Sequence, residues 1–393
     1  MTHTDTLNVD AHAGAVSGKV RLDPRPRKLA TRLEPGDIAV IDQTDLDRTT
    51  AQALITAQPV AVLNAAPSAS GRHRVLGPNM IVDAGIVLID DLGQDIMTLR
   101  EGETVSIAGG QVLRDGHVVA SGTPVTYTSW PDTADEELVK TQMRSFAASI
   151  DDYLERDGSL LLTGEGVPIA VDLFEGRTVM VIMDDADTKP QLKALRSWCR
   201  DADPLVIGVD AGADTARRVG LHPHMIIGDM DLVSEKALRS NARLIVVSGH
   251  DGVAPGRDRL DRMGIDYEVI EMMGGPEDAA TLIATHSGAD AIVTVGAHHS
   301  IDDLIDQGRA AMSPSFFTRL RAGDLLVAAD AVAATHRPRI SAWMVVLFAL
   351  TVLVTCGVAL WATPWGNDVY QSVIGFFIDL IGNDLPAAGE DVG

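Results

Sequence analysis

Along most of the chain, short apolar runs alternate with longer amphipathic stretches, and glycines and acids punctuate the joins. The sharpest case is residues 206–234, V-I-G-V-D-A-G-A-D-T-A-R-R-V-G-L-H-P-H-M-I-I-G-D-M-D-L-V-S. Residues 205–209 have the unbroken apolar character of a parallel strand buried on both faces. Residues 214–219 read as helix, and Gly220 ends it, as glycine does just past a helix. Residues 225–227 form a second strand, with Gly228, Asp229 and Asp231 at its carboxyl end. The same alternation predicts strands over 178–183, 244–247, 267–270 and 291–295. Helices are predicted over 190–199, over 257–263 and onward from 278. Strands alternating with helices in this way make a doubly wound, mostly parallel α/β sheet.

Residues 34–130 repeat the theme in a smaller unit. Strands are predicted at 36–42, 60–64 and 86–89, helices at 46–57 and 78–84, and a β meander over 104–107 and 112–119. A loop of small residues, Asn64 to Arg72, carries Ser68 and Ser70 and is a candidate interdomain loop. The next pattern is helical: Leu138, Met143, Phe146, Ile150, Tyr153 and Leu154 share one face of a helix predicted over 133–156. It reads as a packing or dimer surface, which makes a homodimer the expectation, and Asp157-Gly158 is expected to end it. The chain then divides into a disordered basic arm (1–33), a β/α domain (34–130), a linker helix and connector (131–177), a second α/β domain (178–335), an apolar span (340–362) and a tail (363–393).

The apolar span changes the picture. Residues 340–362 hold no charged side chain. A helix of that length covers about 34 Å, enough for a bilayer core. Ile340 opens it, and Trp343 and Trp361 sit near its ends as interfacial anchors. Arg337 and Arg339 precede it, while Asp368, Asp379 and Asp384 follow. The positive-inside rule therefore predicts a single-pass protein of the plasma membrane, in contact with lipid, with its bulk in the cytoplasm and its tail outside. Residues 1–18 lack the apolar core of a leader. Within the tail, residues 373–382 are too short to span and suit the membrane surface or a partner.

Net charge is −23. That argues against general nucleic-acid binding, which needs a basic face, and leaves room for a local basic patch. One basic run stands out: Lys19, Arg21, Arg25, Arg27, Lys28 and Arg32. The expectation is a solvated arm, with anionic lipid as the alternative. The two cysteines, Cys199 and Cys356, are not expected to pair.

Candidate chemistry gathers at strand ends, where open α/β sheets bind ligands. Asp210, Asp229 and Asp231 are expected on one rim as cation ligands, and hard oxygen donors suit Mg²⁺. Gly212 and Gly228 are expected to let phosphate approach the backbone. Asp214, Ser234, Asp278 and Gly296 complete a candidate nucleotide–phosphate site. His298 and His299 end a further strand as a lesser candidate for metal or phosphate. No Walker loop, His-Glu-x-x-His or Gly-x-Ser-x-Gly pattern is present.

These residues carry resemblances. Gly36-Asp37-Ile38, Gly85-Ile86 and Gly102-Glu103-Thr104-Val105 are similar to the swivelling phosphohistidine domain of phosphoenolpyruvate-utilising enzymes. The reactive histidine is absent near Gly77-Pro78-Asn79, so only the fold is implied. Asp210-Ala-Gly-Ala-Asp and His222-Pro-His-Met-Ile-Ile-Gly-Asp-Met-Asp resemble the catalytic domain of thiamin pyrophosphokinase, over roughly 178–330. That family transfers a diphosphoryl group from ATP with Mg²⁺. Asn64 to Arg72, Gly208 to Asp214, Ile227 to Ser234, Glu277-Asp278 and the span at 340–362, in that order, resemble SteA-type actinobacterial cytokinetic-ring proteins. This second resemblance covers nearly the whole chain. It implies a role in late cytokinesis and cell separation, with a membrane-embedded division partner and cell-wall hydrolases downstream.

Ala211, Leu232 and Glu277 depart from the pyrophosphokinase pattern, and Asp184-Asp-Ala-Asp187 stands where that family has a glycine-rich loop. The combined reading is a membrane-anchored division protein that binds a nucleotide-like ligand with a divalent cation. The alternatives are an active diphosphokinase or nucleotide hydrolase, and a structural scaffold.

Overall fold

A computed structural model of the chain describes residues 16–126 without 73, residues 132–336 without 299, 301, 302, 304, 305 and 307, residues 342–363, and part of 366–375. Residues 16–336 lie within one compact unit, and residues 337–393 belong to a second.

The first sheet is built from β1 (Val16–Leu22), β2 (Ile38–Ile41), β3 (Ala61–Asn64), β4 (Val87–Asp90), β5 (Thr104–Ala108), β6 (Gln111–Arg114), β7 (His117–Ser121) and β8 (Thr123–Pro124). Their order is β7-β6-β5-β1-β2-β3-β4-β8. Strands β1 to β4 are parallel, and the outer strands join antiparallel. Every residue of β2 and β3 is buried, which is why both read as continuous apolar runs. The helices Arg48–Ala57 and Gly77–Asp83 cover one face through Leu54 and Ile81, while Ile96 and Val105 close the other.

Here the expected arm is corrected. Residues 16–22 form β1, inserted between β2 and β5, and Pro26–Ala30 is a helix that buries Leu29. The basic residues in V-S-G-K-V-R-L hide a period-two alternation whose buried member is Val20. Residues 1–15 lie outside the described residues.

The second sheet holds β9 (Thr178–Ile182), β10 (Leu205–Val209), β11 (Met225–Gly228), β12 (Arg243–Ser248), β13 (Glu268–Glu271), β14 (Ala291–Val295) and β15 (Leu326–Ala328). All its pairings are parallel, in the order β13-β12-β11-β10-β9-β14-β15. The chain steps outward from β9 to β13, then returns to lay β14 on the other side of β9. The strand order reverses between these two strands, and a crevice opens at such a point. Helices cover both faces. Pro276–His286 packs on one side, and Thr188–Ala194, Gly212–Arg218 and Arg257–Met263 pack on the other.

The linker helix runs Asp132–Thr163, past the expected stop at Asp157-Gly158. Asp157 is buried and tied to the second sheet. Its Oδ1 meets His250 Nε2 at 2.6 Å, and its Oδ2 accepts from Met273 N at 2.7 Å. Leu160 and Leu161 are buried beyond it, so tertiary contacts carry the helix through a residue pair that usually ends one. Its apolar face packs against the helix Gly308–Ala322 of the same chain, with Tyr153 stacked on Phe317 at 5.8 Å.

In the second unit, residues Ala342–Trp361 form a 20-residue helix without a charged side chain. Its described side chains span 343–359 and are exposed throughout, Trp343 at 71%. Among the described residues, no helix is long and apolar enough to cross a membrane. Ile340 lies outside the described residues, as does the side chain of Trp361.

Candidate functional site

Strands β10 and β11 are neighbours, so the loops at their carboxyl ends meet. Asp210 takes a left-handed backbone (φ 49°) and Gly228 a φ of 125°. This folds the two loops together: Asp210 Oδ1 accepts from Asp229 N at 2.7 Å, and Asp229 Oδ1 accepts from Asp231 N at 2.8 Å. A Cβ on Gly228 would lie 2.0 Å from Asp210 Oδ1. The three predicted acids are therefore brought together, with glycine required at their junction.

Three cations already face them. Arg25 Nη2 donates to Asp231 Oδ2 at 2.6 Å and Lys28 Nζ to the same oxygen at 3.0 Å. Arg27 Nη2 donates to Asp210 Oδ2 at 2.7 Å, and Arg25 Nη1 stands 3.9 Å from Asp229. The basic run expected to be solvated is thus the counter-charge of the rim, delivered by the helix Pro26–Ala30. The clustering of Arg25, Arg27 and Lys28 in an otherwise acidic chain marked them as a group without naming the acids they face. Burial, reinforced by Asp210 and Asp231, raises the pKa of Asp229. Burial also acts to raise that of Asp231, but Arg25 and Lys28 outweigh it and hold the group below the ordinary carboxylate range.

The remaining predicted residues divide. Gly212 touches β9: a Cβ there would lie 2.1 Å from the carbonyl oxygen of Ile182. Close packing of helix on strand thus accounts for this glycine without a ligand. Asp214 accepts from Ser234 N at 2.8 Å and from its hydroxyl, so these two side chains hold each other. Ser234 also caps the helix Glu235–Leu238. Gly296 follows β14 with φ 72°, and its N–H donates to Gln191 Oε1 at 2.8 Å.

Asp278 sits in the first turn of the helix Pro276–His286, where its Oδ2 accepts from Gly275 N and from Ser315 Oγ, each at 3.0 Å. Burial pushes its pKa up to about 6. Burial and the neighbouring Asp278 push that of Glu277 to about 7.

The small-residue loop of the first sheet is built from within. Asn64 is fully buried. It exchanges hydrogen bonds with the backbone of Gln43 at 3.0 and 2.8 Å and donates to Ser68 Oγ at 2.9 Å. Ser68 in turn bonds Asp90, and Ser70 bonds Asp45 through N and Oγ at 2.6 and 2.8 Å. These three side chains hold the loop's shape, while Arg72 is exposed.

The starts of the two helices that flank this loop in sequence dock onto the second sheet's side. Asp306 accepts from Arg48 N at 2.7 Å and from Leu76 N at 2.6 Å, across the two sheets. Between them lies a cavity of about 300 Å³. Arg27 and Arg48 line it from the first sheet, and Asp185, Asp210, Glu277 and His298 from the second. His298 Nε2 lies 3.1 Å from Asp185 Oδ1. His299 lies outside the described residues.

No family model matches the chain, and no curated protein does. Among solved structures, thiamine pyrophosphokinase from Bacillus subtilis is 18% identical, with a TM-score of 0.25 over 39% of this chain and 59% of that one. Thiamin pyrophosphokinase from Geobacillus thermodenitrificans is 18% identical, with a TM-score of 0.22 over 34% of this chain and 53% of that one. The chain thus spans under three-fifths of either. The similarity is weak and partial.

Proposed function

We propose that the chain is a membrane-anchored regulatory protein whose two sheets close on a phosphorylated, nucleotide-like ligand together with a divalent cation. The reading is carried by the ion pairs of Arg25, Arg27 and Lys28 with Asp231 and Asp210. A rim that holds three cationic side chains is a rim that selects cations. Guanidinium groups that grip carboxylates grip phosphate oxygens by the same fork geometry. A Mg²⁺–phosphate complex would take the acids for its metal and offer its phosphates to the arginines. Ligand binding would then change how the first sheet is held on the second, which is the differential contact a switch needs.

Thermal unfolding of the full chain with Mg²⁺ and ATP, GTP or thiamin diphosphate tests this. The transition rises with at least one pair, and the rise is lost in Asp229→Asn. No rise with any pair defeats the reading.

A second reading, turnover as a diphosphokinase or nucleotide hydrolase, is favoured by Glu277. A carboxyl group with a pKa near 7 is matched to proton transfer at neutral pH. Metal-dependent release of labelled phosphate from ATP, absent in Glu277→Gln, would establish it.

Placement in the cell-division machinery is supported by the ordered motifs shared with SteA-type proteins. The membrane anchor rests on the sequence, where residues 340–362 run without a charged side chain. A fluorescent fusion of the full chain is expected at the division septum, and one lacking 340–393 is expected throughout the cytoplasm. Even distribution of the full-length fusion would count against both assignments.

A further inference from the structure

We infer a transition-metal site, separate from the acidic rim, formed by Asp185, Asp187 and His298. Asp185 and Asp187 lie in the loop after β9, and His298 lies in the loop after β14. These strands are neighbours at the point where the sheet order reverses, and Met183 N donates to Val295 O across them at 3.0 Å. One ligand atom from each of the three side chains falls within 4.8 Å of the others. His298 Nε2 is 3.1 Å from Asp185 Oδ1 and 4.0 Å from Asp187 Oδ2. Donors bound at about 2.0–2.2 Å to one ion stand roughly 3–4 Å apart, so the set needs little rearrangement.

The loops that carry these donors are fixed. Asp187 N donates to Asp185 Oδ1 at 3.1 Å, and Asp185 N to Thr188 Oγ1 at 3.1 Å. The Thr188 hydroxyl reaches back to Met183 O at 2.8 Å. Arg319 Nη2 holds the carbonyl of His298 at 3.0 Å. A site whose ligands are positioned by their own supports binds without first ordering them.

Charge balance places the demand for a cation here. At the rim, Asp210 and Asp231 are each paired with arginine or lysine, and Arg25 stands near Asp229. At the reversal point, Asp185 and Asp187 face the His298 imidazole, and the three carboxylates Asp185, Asp187 and Asp303 share one guanidinium, that of Arg48. An independent atom points the same way. Asp303 lines the same cavity and is buried, yet its Oδ1 has no hydrogen-bond donor among the described residues; Arg48 Nη1 is 3.6 Å away. Arg48 supplies this oxygen with charge but no hydrogen bond, which leaves it free to accept from a water on a bound ion.

Two carboxylates with one imidazole suit Mn²⁺, Fe²⁺ or Zn²⁺ better than Mg²⁺ or Ca²⁺, which take oxygen donors. Three protein ligands leave positions open toward the cavity, so the ion there meets whatever the cavity admits. The ion binds there whether or not the rim takes a nucleotide.

Mn²⁺ titration of the full-length chain, followed by electron spin echo spectroscopy, tests it. The expected result is one ion per chain with a nitrogen coupling from imidazole. His298→Asn abolishes the coupling, and Asp185→Asn weakens affinity roughly tenfold or more. Asp229→Asn leaves both coupling and affinity in place. Absence of nitrogen coupling in the unaltered protein overturns the inference without recourse to any variant. So does loss of the bound ion in Asp229→Asn with retention in His298→Asn, which would put the metal on the rim.

Discussion

Arg27 and Asp210, 183 positions apart, meet at 2.7 Å, with the carboxylate almost wholly buried and the guanidinium about one-third exposed. The pair joins the helix Pro26–Ala30 of one sheet to the rim of the other. Its worth shows when one half is removed, since a buried charge left alone is costly. Arg27→Met is expected to destabilise the chain by about 1–3 kcal/mol, between the values for exposed and for buried pairs because Arg27 is partly in water. The double variant Arg27→Met with Asp210→Asn recovers most of the loss. Urea unfolding of the four proteins measures the coupling.

Glu277 imposes a pH dependence. Its pKa is near 7 in the folded chain against 4.5 for the free side chain. The folded state therefore holds the proton more tightly, and stability falls as pH rises from about 4.5 to 7. Glu277→Gln removes that contribution, and its stability relative to the parent increases by about 2 kcal/mol between pH 5 and pH 8. Asp278 remains and keeps part of the slope. Chemical denaturation at both pH values reads the difference.

His250 works in the opposite sense. Its hydrogen bond to Asp157 is the main cause of a raised pKa, with Glu271 adding to it on the other ring nitrogen. Its stabilisation is complete below the unfolded value of 6.5 and is lost as pH rises through the folded value. His250→Ala should therefore cost more stability at pH 5.5 than at pH 8.5. Equal loss at both would mean the imidazolium form has no part in holding the linker helix.

Two glycines give a paired test of packing. At Gly212 a methyl group would stand 2.1 Å from the Ile182 carbonyl oxygen, and backbone cannot step aside. Gly212→Ala is expected to cost about 2–3 kcal/mol. At Gly158, inside the linker helix, a methyl group would meet nothing. Gly158→Ala is expected to gain roughly 0.5–1 kcal/mol from backbone entropy alone. Thermal melts of both variants decide it.

Strands β10 and β11 and the acids at their ends were legible in the sequence. Each strand is a short apolar run buried on both faces, and the ligand rule for parallel sheets then places Asp210, Asp229 and Asp231. The cations were not, because nothing local in Arg25, Arg27 and Lys28 says which distant acids they face. The continuation of the linker helix through Asp157-Gly158 was hidden for the same reason: the contacts that hold it, His250 and Met273, come from another part of the chain. Asp185 and His298 were visible singly. Their meeting depends on β14 returning to lie beside β9, a strand order that periodicity does not encode.

Asp306 accepts from the first amide of the helix Arg48–Ala57 with one oxygen and from Leu76, at the head of the next helix, with the other. Both helix starts lie in the first quarter of the chain, and their shared acceptor lies in the last. On the ribosome, the amino-terminal sheet emerges long before this carboxylate exists. It must wait through the synthesis of most of its neighbour before those two amides are satisfied. The unit made first is therefore finished last, and a chain released short of residue 306 leaves it incomplete.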